Sequence, residues 1–158
     1  MMFDDLEMFL VWYLNNRPIA PPYETSLHRY RGLHSAVIYR QPPYQVELYI
    51  VDPHTEVPDH THPNVDSFEV FLCGDVHFRH SGKVITPPEL VNQISNGAHS
   101  LLGQTIRVRP KDSHGATIGD RGGMFLSVQK WLAGAPTSVG KNWIATESNE
   151  AFNKDILQ

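Results

Sequence analysis

Three observations predict an all-β protein, a sandwich or a closed barrel. From about residue 34 onward, short runs rich in Val, Ile, Tyr, Phe and Thr follow one another. Those runs are divided by Pro, Gly, Asn and Asp at turn-like spacing, and little helical periodicity separates them. With 158 residues, 41% of them apolar and 19% charged, the chain has the composition of a globular protein.

The first element is the exception to β structure. Leu6, Phe9, Leu10 and Tyr13 fall at helical spacing, Asp4 or Asp5 can cap the start, and Asn15-Asn16-Arg17-Pro18 ends the pattern. A helix this short carries more apolar surface than it can hide, so it is expected to pack outside the main domain or at a dimer contact. Pro18, Pro21 and Pro22 mark an extended connection. Strands are then predicted over 35–39 and 45–51, split by Gln41-Pro42-Pro43. Residues 67–73 and 76–80 read as a hairpin around Gly74-Asp75, with 83–85 following a Ser81-Gly82 turn. Pro87 to Val91 reads as one helical turn. Residues 105–109, 115–118 and 124–131 supply further strands, and Ala151, Phe152, Ile156 and Leu157 one side of a short final helix. The expected organisation is a single domain over 1–158. Within it, 1–33 form the amino-terminal helix and arm, 34–134 the barrel, and 135–158 a carboxy-terminal tail.

Composition excludes several function classes. A formal net charge of −4 argues against general nucleic-acid binding, which needs a basic face. Cys73 is the only cysteine, so no intrachain disulfide forms; it reads as a core residue, with an inward thiol near the barrel mouth as the alternative. The longest apolar run, Met8 to Leu14, falls far short of the roughly 20 residues that span a bilayer, and acidic residues precede it. A soluble, cytoplasmic protein without membrane or nucleic-acid partners is expected. No P-loop, dinucleotide fingerprint or nucleophile elbow is present.

The histidines carry the chemistry. His60 and His62 are one residue apart, and in a strand such residues point the same way, so two imidazoles are offered to one point. In the following run, Ser67, Glu69, Phe71 and Cys73 share a face. Glu69 is thus a carboxylate within a mostly apolar strand, where it needs a cation or strong donors. Pairing with Arg79 or a histidine across the sheet is the plainer alternative. Much later, Pro110-Lys111-Asp112-Ser113-His114 places a histidine at the head of a strand.

The run His60-Thr61-His62-Pro63-Asn64-Val65-Asp66-Ser67-Phe68-Glu69-Val70-Phe71-Leu72-Cys73-Gly74 resembles the first motif of the cupin superfamily. The Pro110 to His114 segment resembles its second. The resemblance covers roughly residues 34 to 131. It implies a double-stranded β-helix, the jelly-roll or cupin barrel, with a short amino-terminal helix and a carboxy-terminal tail. It also implies one divalent transition metal (Fe, Mn, Ni or Zn) held by His60, His62 and His114. Counted back from Gly74, the family's glutamate position falls on Ser67, whereas Glu69 lies roughly 6.5 Å further along the strand. Either Glu69 is a fourth ligand, or the site has three histidines and no carboxylate. The second motif lacks its usual glycine, and His54 stands where a glycine often precedes the histidine pair.

Phe71, Tyr49, Ile50 and Phe125 are expected to wall a dry barrel around a small-molecule ligand. The resemblance implies a metal-dependent enzyme, an oxygenase or an isomerase or lyase of a small polar metabolite, with Glu69 or His54 moving a proton. The other reading is a non-catalytic cupin, a ligand-binding module or a structural part of an assembly. A homodimer is expected in either case.

Overall fold

The computed structural model describes residues 3–16, 18, 24–30, 32–85, 105–137 and 144–145. Among the described residues one helix, α1 (Leu6–Asn16), precedes nine strands. These are β1 (Glu24–Tyr30), β2 (Leu33–Gln41), β3 (Tyr44–Val51), β4 (Glu56–Thr61), β5 (Val65–His80), β6 (Lys83–Ile85), β7 (Thr105–Val108), β8 (His114–Trp131) and β9 (Ile144–Ala145). The turn at 87–91 and the final helix lie outside the described residues. Among the described residues, no helix is long and apolar enough to cross a membrane.

All pairings are antiparallel. The path β1-β2-β3-β8-β4-β9 is joined by β5, which pairs with β6, β7 and β8. Two long strands run side by side through the structure: β5, with 16 residues, and β8, with 18. Each corresponds to two strands in the sequence reading. Gly74-Asp75 is not a hairpin turn but part of a bulged stretch, with register shifts between Phe71 and Cys73 and between Gly74 and Val76. An extra residue in one strand bends it without ending the ladder, and glycine chemistry serves a bulge as well as a turn. Cys73 correspondingly leaves the alternation and is exposed, not buried in the core. The stretch Glu24–Tyr30, expected as part of the extended arm, pairs with β2 as an edge strand.

Gly74 has φ +96°, and a Cβ there would run into the carbonyl oxygen of Gly122 on β8. Both strain and collision therefore oppose any side chain. Gly74→Ala is expected to lower stability by about 2–4 kcal/mol, read as a fall in thermal midpoint; an unchanged midpoint would refute the close approach.

The central strands bury both faces. Along β3, Gln45, Glu47, Tyr49 and Val51 alternate with Tyr44, Val46 and Leu48. One set faces the inner cluster, which includes Tyr49, Val57, Phe71, Phe78, Phe125 and Trp131. The other set joins a second cluster under α1, with Phe9, Leu10, Tyr39, Val70 and Val128. The helix thus packs outside the β-structure through Leu6, Phe9, Leu10, Tyr13 and Leu14. Asp5 caps it, its carboxylate accepting the Met8 N–H at 2.9 Å. A strand sandwiched in this way buries both halves of its pattern, so its polar members Gln45 and Glu47 are buried too.

Candidate metal centre

His60 lies on β4, His62 directly follows it, and His114 opens β8. In the antiparallel register His60 stands opposite His114, so the strand ladder itself joins the two distant motifs. The three ring centroids lie 4.3 to 5.0 Å apart. One ligand atom from each ring lies within 4.8 Å of the others, and His60 Nε2 and His62 Nε2 are 3.1 Å apart.

The backbone selects the tautomers. His60 Nδ1–H donates to the Pro58 carbonyl at 2.7 Å, and His114 Nδ1–H donates to the Asp112 carbonyl at 3.2 Å. Each bond leaves Nε2 as the lone-pair nitrogen and fixes the ring plane, the arrangement that outer-shell carbonyls give metal-binding histidines. Burial pushes all three imidazoles below their ordinary range: His60 and His62 far below, His114 to about 4. For His60 and His62 the neighbouring His114 adds to the effect. Neutral imidazole is the form that binds a metal, so at pH 7 no proton has to be displaced.

The donor set fits a divalent transition metal. Two nitrogens each about 2.1 Å from one ion, at angles of about 90–110°, lie about 3.0–3.4 Å apart, which matches the His60–His62 pair. The wider spread of the third closes with ring movements on the order of 1 Å. A trio of nitrogen donors suits transition-metal ions better than the oxygen-preferring Ca²⁺ and Mg²⁺.

These imidazoles open onto a cavity of about 400 Å³, its open mouth included. Leu33, Tyr49, Val57, Phe78, Ala116 and Phe125 form its apolar wall. Of the aromatic and aliphatic residues expected to wall the barrel, Tyr49 and Phe125 line the cavity and Phe71 is buried in the inner cluster. Ile50 is 42% exposed, because the residue beside an inward Tyr49 must face outward.

Glu69 lines the same cavity but is not among the converging ligand atoms. Ser67 Oγ and Ser127 Oγ both reach its Oε1 at 3.1 Å. Burial pushes its carboxyl up to about 7, against the two serine hydrogen bonds, and the neighbouring Glu47 adds to the rise. His54 lies apart from all of this. It sits between β3 and β4 at positive φ, 70% exposed, with its ring 3.3 Å from the Asp120 carboxylate. Arg79 is not a partner of Glu69; it binds Asp59, Glu56 and Thr117 and the Val57 carbonyl. His80 pairs with Asp112, and His34 with Asp52.

The raised Glu69 carboxyl has a signed consequence. Folded protein retains a proton that the unfolded chain releases, so this contribution to stability is full below pH 4.5 and is lost as pH rises towards 7. The depressed histidines act in the opposite sense over an overlapping range, so comparison with Glu69→Gln isolates the carboxyl. Relative to wild type, the variant is expected to gain up to about 3 kcal/mol between pH 4.5 and 8. Denaturant midpoints at several pH values check this; parallel curves for the two proteins would refute it.

Sequence reasoning missed Gln45, Glu47, Ser127 and Gln129, which are buried polar residues. Their signal was present: Gln45 and Glu47 share one face of an otherwise apolar strand, as do Ser127 and Gln129 with Phe125 and Trp131.

The β-structure and the histidine trio define the class: the chain has the cupin fold. Three solved structures illustrate it. KdgF from Halomonas sp. matches with a TM-score of 0.53 and 10% identity, over 72% of this chain and 90% of that one. An RmlC-like cupin from Shewanella frigidimarina matches with a TM-score of 0.55 and 16% identity, over 73% and 90%. A predicted oxalate decarboxylase from Thermotoga maritima matches with a TM-score of 0.50 and 17% identity, over 63% and 81%. No protein-family model and no curated protein sequence matches the chain.

Proposed function

We propose that this chain is a divalent-metal-dependent cupin enzyme that catalyses proton transfer on a small ligand, as an isomerase or lyase does. The observation that carries the reading is the convergence of three buried, neutral imidazoles on one point beside an apolar cavity that also holds Glu69. His60, His62 and His114 would hold Fe, Mn, Ni or Zn. Such an ion, when bound, supplies Lewis acidity towards a ligand oxygen and leaves coordination positions open.

The remaining work falls to the chain. The apolar wall excludes water and accommodates the carbon skeleton of the ligand. Glu69, its carboxyl near neutrality, can hold a proton or release one at working pH, which suits a general acid or base. A site that only bound a ligand would not need such a group. This favours proton transfer over the oxygenase reading and over the non-catalytic module. His54 is too exposed and remote from the trio to share the role.

The test uses metal-loaded protein in deuterium oxide with a panel of small hydroxy, keto and enol acids. Protein-dependent exchange of carbon-bound hydrogen, lost in Glu69→Gln while the metal is retained, is the expected result. Binding of panel members without exchange would instead establish the module.

A further inference from the structure

A chain of buried polar side chains leads to Glu69, and two groups that can only donate fix its polarity. Arg40 Nε donates to Gln45 Oε1 at 2.7 Å. Trp131 Nε1 donates to Gln129 Oε1 at 3.0 Å. Neither a guanidinium nor an indole N–H can accept, so both amides are oriented with oxygen towards the donor and nitrogen away from it. Gln45 Nε2 then reaches Gln129 Oε1 at 3.0 Å and Glu47 Oε1 at 3.1 Å. Gln129 Nε2 donates to Ser127 Oγ at 3.1 Å and to Glu47 Oε1 at 3.4 Å. Gln129 Nε2 can only donate, so Ser127 Oγ accepts there and its own hydrogen goes to Glu69 Oε1.

We propose that Ser127 and Gln129 are positioning residues that reserve Glu69 Oε1 as an acceptor, so that the carboxyl proton is carried and exchanged at Oε2. Ser67 Oγ, 3.1 Å from the same oxygen, reinforces the arrangement. The inference deepens the reading of Glu69 as the proton-holding group and rests on it for its functional meaning. The chain orients and does not conduct, because the Gln129 amide gives both its hydrogens outward. Glu47 and the two serines act on Glu69 directly, and Tyr49 and the trio His60, His62 and His114 line the same cavity. From β7, Arg107 is engaged elsewhere, with Asp66 and over the Phe68 ring.

The test is infrared difference spectroscopy of metal-free protein, wild type minus Glu69→Gln, across a pH titration. A neutral Glu69 with its proton on Oε2 has a carbonyl that accepts two hydrogen bonds, so its C=O stretch should be lowered from that of a free acid. Ser127→Ala should raise that frequency and raise the Glu69 midpoint by about one unit, a tenfold change in proton affinity, because a donor to the anion is lost. Gln129→Leu should shift both in the same direction by less, and Ser127→Thr should restore wild-type behaviour. A wild-type band at the free-acid position overturns the proposal and needs no variant. An unmoved band and midpoint in folded Ser127→Ala overturn it equally. Because the readout needs neither metal nor ligand, a failure of the exchange assay and a failure here are separately visible.

Discussion

His60→Ala and His114→Ala are each expected to abolish stoichiometric metal binding while leaving a folded β-protein. Both side chains are almost wholly buried, and among the described residues each is one of three donors that converge. Loss of outer-shell partners alone costs metal sites about 10–100-fold in affinity, and loss of a donor should exceed that range. Folding should survive because the replaced rings face a cavity, so neighbouring side chains lose few contacts. Removing a buried imidazole also removes a group whose protonation burial opposes, so acid tolerance should improve slightly. Calorimetric titration with Zn²⁺, with circular dichroism as the control for folding, reads both effects. Tight one-to-one binding retained in either variant would contradict the site.

The largest stability effect is expected from Phe9→Ala. The Phe9 side chain is fully buried in the second cluster. Its ring stacks on Tyr44 with centroids 4.6 Å apart and touches Phe3 and Tyr39. Large-to-small substitution at such a site costs about 3–5 kcal/mol, a large share of the roughly 5–15 kcal/mol that holds a domain folded. The loss should appear as a steep fall in thermal midpoint with metal affinity in the folded protein unchanged, since α1 packs on the outer face. A small stability change, or a lost metal site with stability intact, would show that α1 does not pack as described.

The contrast between these two sites explains what the sequence made legible. The histidine pair was readable because strand geometry alone aligns residues two apart, and His114 because a turn and a strand head frame it. Their meeting point depends on the β4–β8 register, which no local pattern encodes. The helix was plain from Leu6, Phe9, Leu10 and Tyr13. A bulge and a turn ask for the same residue, so Gly74 reads as a hairpin turn and Cys73 as core, although the strand runs through and Cys73 is exposed. Glu69 stands out as an anomaly in an apolar strand, but no local pattern points to its partner Ser127 on β8. Buried hydrogen bonds between strands distant in sequence have no local signature. The edge strand β1 was hidden for a similar reason: its pairing with β2, and not its composition, makes it a strand.

Metal analysis of protein purified without chelators tests the central claim most directly. The site predicts close to one equivalent of Fe, Mn, Ni or Zn per chain, retained through dialysis and lost in His60→Ala. Protein that carries none of these ions, and takes up none when each is added in turn, would contradict it.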